Sequence, residues 1–157
     1  MILYHGSNIP VLNPSINYSR KYCDFGKGFY LSKSFVQAKN RAKRGRNIKG
    51  YVTTFIINMD NMSEKYKIKV FKDYNIDWFD YIKRCRSTPL YVDEYDIVMG
   101  PTADNQVLNI LAEEELGKIS EIDAINELKF KKYYYQVCIK NQLILDKHLK
   151  LRDYMEV

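Results

Sequence analysis

Cysteine, proline, histidine and long apolar runs are all scarce in this sequence, and these scarcities exclude several classes of protein. The three cysteines lie far apart, are odd in number and form no CxxC pair, which argues against a structural zinc site or a disulfide framework: Cys23, Cys85 and Cys138. No apolar run approaches the roughly 18 to 20 residues that span a bilayer. The first five residues also lack the charged and apolar regions of a signal peptide. We therefore expect a cytoplasmic protein that needs no metal and contacts no membrane.

Proline is also too sparse to mark a domain boundary. The four prolines are scattered, and no repeat, low-complexity tract or Pro/Gly/Ser-rich linker interrupts the chain. With 157 residues, 46% of them hydrophobic, the chain is long enough to bury a sizeable core without disulfides. The sequence predicts a single domain over residues 1–157.

Short apolar or β-branched runs alternate irregularly with helical patterns. Six runs bounded by turn formers predict strands: residues 2–4, 28–31, 51–57, 68–71, 95–99 and 134–139. Four stretches predict helices: 35–44, capped by Ser34 and ended by Gly45; one that begins at Asp77; 105–115; and 120–128, where Ser120 starts a capping pattern. Because no regular strand–helix–strand rhythm is present, we expect an α+β fold with mostly antiparallel pairing.

Acidic residues are absent from one strongly basic segment. The net charge is +6, and residues 39–49 hold a dense group of cations: Lys39, Arg41, Lys43, Arg44, Arg46 and Lys49. A patch of this kind attracts the phosphates of a nucleic acid or of a dinucleotide. The alternative is a solvated basic helix face, which is the commoner use of such a charge run.

Only two histidines are present. His148 sits among charged residues and is expected to be solvated, whereas His5 ends the first predicted strand and precedes Gly6 and Ser7. The glycine leaves backbone groups open to a ligand, and one backbone C=O together with one N–H can bind a primary carboxamide. The alternative for His5 is a structural histidine in the core.

A second element is the stretch DFGKGFYLS at residues 24–32, where two glycines lead into an aromatic strand. It has neither the GxGxxG spacing of a Rossmann turn nor the GxxxxGK[ST] of a phosphate loop. Gly28 would allow close backbone approach, and the ring of Tyr30 could stack on a flat heterocycle. The alternative is that these aromatic residues belong to the core.

Taken together, the two elements resemble the NAD pocket of the diphtheria-toxin and poly(ADP-ribose) polymerase class of ADP-ribosyltransferases. Gln37-Ala38 and the stretch YDIVMGPTAD at residues 95–104 extend the resemblance to a bacterial family of that class that is still uncharacterised. The resemblance implies an ADP-ribosyltransferase-like split antiparallel β-sandwich with flanking helices. It also implies that NAD is the co-substrate and that the nicotinamide pocket is built around residues 4–7 and 26–30, with Ser7 and Gly28 among the residues near NAD.

The resemblance also assigns roles. His5 would hydrogen-bond the hydroxyl of the nicotinamide ribose, Gly6 would bind the carboxamide through its backbone, and Tyr30 would pack on the nicotinamide ring. The class expects a third residue, often glutamate, on a late strand, and the matching position here is Gln136.

Glutamine at this position changes the expected chemistry. A carboxylate beside the ribose would stabilise developing positive charge and bind a hydroxyl, whereas glutamine keeps only the hydrogen bond. Because glutamine cannot act as a general base, chain elongation of ADP-ribose is not expected. Asp104 is the candidate for that base, and its alternative role is the N-cap of the helix that starts at Asn105.

A further departure falls on the helix after the tyrosine strand. Related pockets place an aromatic residue there, and the matching position holds Arg41. Its guanidinium could stack on the nicotinamide or reach the NAD pyrophosphate, or Phe25 could close the pocket instead.

The resulting expectation is a mono-ADP-ribosyltransferase that acts on a macromolecule. The acceptor is RNA or DNA in preference to protein, and such enzymes often serve as toxins or phage-defence effectors restrained by an antitoxin. Removal of a 2′-phosphate from RNA is a related reaction that uses the same NAD chemistry. The alternative is a non-catalytic module of the same fold that binds NAD, ADP-ribose or nucleic acid.

Overall fold

The computed structural model describes residues 1–44 and 49–157, which combine five α-helices with one seven-stranded sheet. The strands are β1 (Ile2–Ser7), β2 (Phe29–Ser32), β3 (Tyr51–Ile57), β4 (Ile68–Val70), β5 (Ile97–Pro101), β6 (Tyr135–Ile139) and β7 (Leu149–Glu156). The helices are α1 (Phe35–Ala42), α2 (Ile76–Ser87), α3 (Asn105–Glu115), α4 (Glu121–Lys129) and α5 (Gln142–His148). Two 3-10 turns, Ile16–Tyr18 and Met62–Glu64, lie in the connections.

The sheet is ordered β4-β5-β6-β2-β1-β3-β7. Five of its six strand pairs are antiparallel, and only β4 and β5 run parallel. The prediction of an α+β fold with mostly antiparallel pairing is therefore confirmed.

Each face of the central strands supports its own apolar cluster. Along β6, Val137 and Ile139 pack into one cluster while Cys138 packs into the other. This follows from the alternation of side chains in a strand. One cluster is dominated by Trp78 and Phe79 of α2, which are fully buried, and the other contains Ile144 of α5. The central strands are thus covered on both sides, which fixes their register.

Three of the helices begin where capping chemistry predicted. Ser34, Asp104 and Ser120 are the N-caps of α1, α3 and α4, and each side chain accepts a hydrogen bond from a backbone N–H in the first turn. The predicted end of the first helix at Gly45 lies outside the described residues, and α1 ends at Ala42. No helix among the described residues is long and apolar enough to cross a membrane.

The C-terminal region differs from its prediction. His148 is not a solvated residue of a charged tail, because it ends α5 and its Nε2 lies 2.9 Å from the hydroxyl of Tyr66. The next eight residues form β7, which pairs with β3 along its length. The strand escaped prediction because it is an edge strand with a mostly exposed, charge-rich sequence, and only the partner strand identifies it.

The N-cap of α3 yields a stability prediction. Replacing Asp104 by alanine removes the acceptor for the N–H of Val107, which lies 3.0 Å away. We expect the free energy of unfolding to fall by about 1 kcal/mol. Asp104→Ser keeps a capping oxygen and should cost less than about half of that. Urea denaturation measures both, and equal losses in the two variants would contradict the capping role.

Candidate functional site

The sheet opens between β1 and β2. β1 pairs with β3 over its whole length, from Ile2↔Ile56 to Ser7↔Tyr51, but with β2 only at Tyr4↔Ser32. β2 continues along β6 through all four of its residues. The second half of β1 therefore separates from β2, and the gap between the two strands opens into a cavity that residues of both strands line.

The backbone of Gly6 faces the opening. Met1 and Ile57 exchange both of their backbone hydrogen bonds, at 2.7 and 3.0 Å. In an antiparallel ladder such pairs alternate with pairs whose N–H and C=O groups point to the opposite side. Counting along the register, Gly6↔Val52 is of the second kind. The N–H and C=O of Gly6 are thus directed toward β2, beyond the point where the β1–β2 ladder ends.

Small residues hold helix α1 against this strand. A Cβ on Gly6 would collide with the backbone carbonyl of Ala38, and Ala38 and Ala42 are both buried. The glycine is therefore required by the close approach of the helix as well as by the opening. This packing carries Arg41, next to Ala42, to the rim of the opening.

His5 is locked in place by the neighbouring strand. Its Nδ1 lies 2.7 Å from the carbonyl oxygen of Tyr30, and its ring stacks on Phe29 with 4.6 Å between centroids. A carbonyl oxygen can only accept, so Nδ1 carries the proton and donates. The pKa of His5 is lowered to about 4, mainly by burial; the hydrogen bond to Tyr30 opposes this shift, and the nearby charges of Arg41 and Arg20 contribute to it. The imidazole is neutral at pH 7, and its Nε2 presents a lone pair.

Tyr30 forms a fixed wall of the cavity. Its hydroxyl donates to the carbonyl of Gly26 at 2.6 Å and accepts from the N–H of Phe25 at 2.9 Å. Gly26 adopts φ 77°, a conformation that favours glycine, so the backbone of this turn accounts for the glycine at this position. Burial raises the pKa of Tyr30 well above its usual value. The ring is held as a surface, and the phenol is not free to transfer a proton.

The cavity has a volume of about 810 Å³ and is positively charged. Arg20, Arg41 and Arg44 line it, and no carboxylate side chain does so within the described residues. Burial lowers the pKa of Arg41, and the adjacent Arg20 lowers it further. Three guanidinium groups converging on one partly enclosed space favour an anionic ligand, above all one with phosphates.

Ser7 and Gly28 also line the cavity, but both are engaged within the protein. The hydroxyl of Ser7 donates to the carbonyl of Ile9 at 2.6 Å, and the N–H of Gly28 donates to the hydroxyl of Ser19 at 2.9 Å. A Cβ on Gly28 would collide with Cys138 of β6. The close approach that requires this glycine is therefore to a neighbouring strand.

Two predicted site residues lie away from the cavity. Phe25 is fully buried in the core, where its ring packs on Phe71 and Tyr81, so the prediction that it closes the pocket is wrong. Its N–H donates to the Tyr30 hydroxyl, which holds the backbone at this turn. Asp104 is absent from the residues described as lining the cavity, and its carboxylate caps α3. Its capping role is observed, whereas the role of general base has no geometric support.

Gln136 lies deep beside the opening. It is 4% exposed on β6 and borders a small second cavity whose walls include Gly6, Tyr30 and Arg41, residues that also line the large one. Its Nε2 donates to the carboxylate of Asp24 at 3.0 Å. The structure therefore places the predicted third residue beside Gly6, Tyr30 and Arg41.

Asp24 is the residue that sequence reasoning missed. Its carboxylate also binds Arg86 of α2 at 2.5 Å and the N–H of Ala103 at 3.0 Å. Asp24 begins the DFGKGFYLS stretch, so its position was marked, but its partners are 62 to 112 residues away in sequence. Only the folded chain reveals them.

Residues 1–151 match the model of a family described as a protein of unknown function (DUF3990). The chain belongs to this family. No curated protein and no solved structure matches it. The function of this DUF3990 protein must therefore be argued from its site.

The buried His5 of this DUF3990 protein makes stability depend on pH. Its pKa is about 4 in the folded state, against 6.5 for an unperturbed histidine. Between these values the unfolded chain binds more protons, so the free energy of unfolding falls as the pH falls from about 6.5 to about 4. His5→Asn removes this group, so we expect a shallower pH dependence over that window. Urea denaturation at stepped pH measures the difference, and equal slopes would contradict a buried neutral His5.

Proposed function

We propose that this protein is an NAD-dependent mono-ADP-ribosyltransferase with the fold of the class it resembles. The observation that carries the proposal is the opening between β1 and β2. There the free Nε2 side of His5, the outward-facing backbone of Gly6 and the ring of Tyr30 border a single cationic cavity. Its volume of about 810 Å³ lies within the range of small-molecule and cofactor pockets.

The nicotinamide end of NAD fits the neutral part of the cavity. A carboxamide offers a C=O and an N–H₂ group, which complement the N–H and C=O of Gly6. The ring of Tyr30, immobilised by its hydroxyl, provides a surface on which a flat heterocycle can pack. A ribose hydroxyl can donate to His5 Nε2, because the hydrogen bond at Nδ1 leaves that nitrogen as an acceptor.

The pyrophosphate of NAD fits the cationic part. Arg20, Arg41 and Arg44 line the same cavity, and guanidinium groups bind phosphate oxygens in a bidentate manner. We assign Arg41 to the phosphates, because Tyr30 already supplies a ring surface and two other arginines share its surroundings. In this arrangement Arg41 occupies the position that an aromatic residue takes in related pockets, but it binds phosphate through its charge.

The reaction breaks the bond between nicotinamide and ribose C1. Nicotinamide leaves with the bonding electron pair, a nucleophile of the acceptor bonds to C1, and the acceptor loses a proton. Positive charge develops on the ribose, as in glycoside hydrolysis. The protein would bind and orient the sugar through His5 and Gln136, and no side chain in the described part of the cavity can act as a carboxylate base. Because His5 Nε2 is assigned to the ribose hydroxyl, the acceptor's proton then passes to water or to a group on the acceptor.

The cavity mouth favours a nucleic-acid acceptor. Tyr18 borders the cavity and is 87% exposed, close in sequence to Arg20. Exposed aromatic rings beside arginines bind single strands by base stacking and phosphate contacts. Modification of nucleic acid would harm a cell, which agrees with a toxin or defence effector held in check by an antitoxin.

The second candidate is a module that binds NAD or ADP-ribose without turnover. The lack of a carboxylate among the described lining residues favours it, since stabilisation of the ribose charge then relies on dipoles alone. If the protein binds NAD but releases nicotinamide under none of the conditions given below, this alternative is established.

Release of nicotinamide from NAD tests the proposal. Purified protein, alone and with total cellular RNA or lysate, should release nicotinamide. His5→Ala and Gln136→Ala should each lower kcat/KM by about tenfold or more, because each removes a hydrogen bond to the reacting sugar. Tyr30→Phe keeps the ring and should lose less than Tyr30→Ala.

His148→Ala is the matched control, since it removes the other histidine, which contacts Tyr66 outside the cavity. Its kcat/KM should stay near that of the unchanged chain. If the protein binds neither NAD nor ADP-ribose and releases no nicotinamide under any of these conditions, both candidate functions are ruled out.

The acceptor class follows from a separate prediction. Lysate incubated with the protein and NAD labelled in its adenylate part should acquire label that nuclease removes and protease does not, because a cationic, aromatic mouth suits nucleic acid. Tyr18→Ala should lower labelling of the acceptor more than it lowers nicotinamide release without acceptor. Label that only protease removes would reject the nucleic-acid acceptor and leave the transferase proposal standing.

A further inference from the structure

Asp24 joins four parts of the fold through one carboxylate. It lies in the loop before β2, and its side chain is only 13% exposed. Oδ2 accepts from Gln136 Nε2 of β6 and from the N–H of Ala103, each at 3.0 Å, and Oδ1 accepts from Arg86 of α2 at 2.5 Å. All three partners are donors, so three of the roughly four acceptor sites of the carboxylate are used within the protein.

The carboxylate fixes which way the amide of Gln136 points. A carboxylate without a proton can only accept, so the group facing Asp24 must be the NH₂ group of the glutamine. Oε1 is then on the side away from Asp24. The residue borders the small cavity shared with Gly6, Tyr30 and Arg41, and Asp24 borders neither cavity. Of the three hydrogen-bond partners of Asp24, only Gln136 borders either of these cavities.

We propose that Asp24 is the positioning residue of the site, holding the Gln136 amide so that Oε1 accepts a hydrogen bond from a ribose hydroxyl of the substrate. This inference rests on the proposed function for its substrate and on the Asp24 contacts for its geometry. A hydrogen bond to a charged acceptor is stronger than one between neutral groups. The amide is thus held more firmly than burial alone would hold it.

The same contact explains why glutamine occupies this position. A glutamate in its place would put a second carboxylate about 3.0 Å from Asp24, where the Gln136 Nε2 now donates. Two carboxylates in contact repel each other, and only one side of Asp24 is neutralised by Arg86. In this chain the amide and the buried aspartate therefore depend on each other.

Asp24→Asn tests the positioning role. Asparagine cannot accept from Arg86, Ala103 and Gln136 together, because one of its terminal atoms is a donor. We expect kcat for nicotinamide release to fall by about tenfold, while the Kd for NAD changes by less than about threefold because the other contacts remain. Asp146→Asn is the matched control, since Asp146 pairs with Gln142 on the exposed side of α5 at 2.8 Å. It should leave kcat within about twofold of the unchanged chain.

A charge exchange provides the second variant. Gln136→Glu alone should be impaired, because the introduced carboxylate would face that of Asp24. Adding Asp24→Asn restores an amide opposite a carboxylate, so the double variant should be more active than the product of the two single effects predicts. Additive effects would show that the two side chains act independently and would overturn the inference.

Side-chain NMR separates this inference from the proposed function. The NH₂ resonances of Gln136, assigned by their loss in Gln136→Met, should shift in Asp24→Asn and not in Asp146→Asn. Unchanged resonances overturn the inference even if the enzyme is active. If the resonances shift but no variant releases nicotinamide, the Asp24–Gln136 contact is supported and the transferase proposal is rejected. If the unchanged protein releases nicotinamide and Asp24→Asn has the same kcat, the transferase proposal stands and the positioning role of Asp24 is rejected.

Discussion

The hydrogen bond between His5 Nδ1 and the carbonyl of Tyr30 is the interaction around which the site is organised. In a continuous ladder that carbonyl would face the backbone of β1, but the β1–β2 pairing ends at Tyr4. The imidazole takes the place of the missing strand pairing, which satisfies a carbonyl at the edge of the opening. A single side chain thus keeps two strands together while leaving the neighbouring Gly6 available.

This arrangement has an electrostatic consequence. Burial keeps His5 neutral, so the positive charge of the cavity comes from the arginines at its rim and not from the histidine. Asp24 does not line the cavity. Its carboxylate forms an ion pair with Arg86 and accepts a hydrogen bond from Gln136. The cavity therefore combines cationic side chains with neutral hydrogen-bonding groups.

Much of the fold could be predicted because its signals are local. Ser34, Asp104 and Ser120 precede amphipathic stretches and cap their first turns, and the runs that form β3 and β6 are rich in the β-branched and aromatic residues that favour strands. Of the site, His5, Gly6 and Tyr30 were predicted, and the structure brings them together on one cavity. Phe25 was misassigned because an aromatic residue next to glycine looks the same in sequence whether its ring faces a cavity or the core. A charge-rich edge strand such as β7 gives no periodic signal of its own.

The sequence by itself determined the class of fold, the caps that start the helices, and the two short motifs that border the cavity. These are properties of neighbouring residues, set by backbone propensity and capping chemistry. The tertiary structure alone decided that β1 and β2 separate after one pair, that Arg41 is carried to the opening by Ala38 and Ala42, and that Asp24 meets Gln136. These contacts join residues up to 112 positions apart, and no local pattern encodes which distant donor a carboxylate will find.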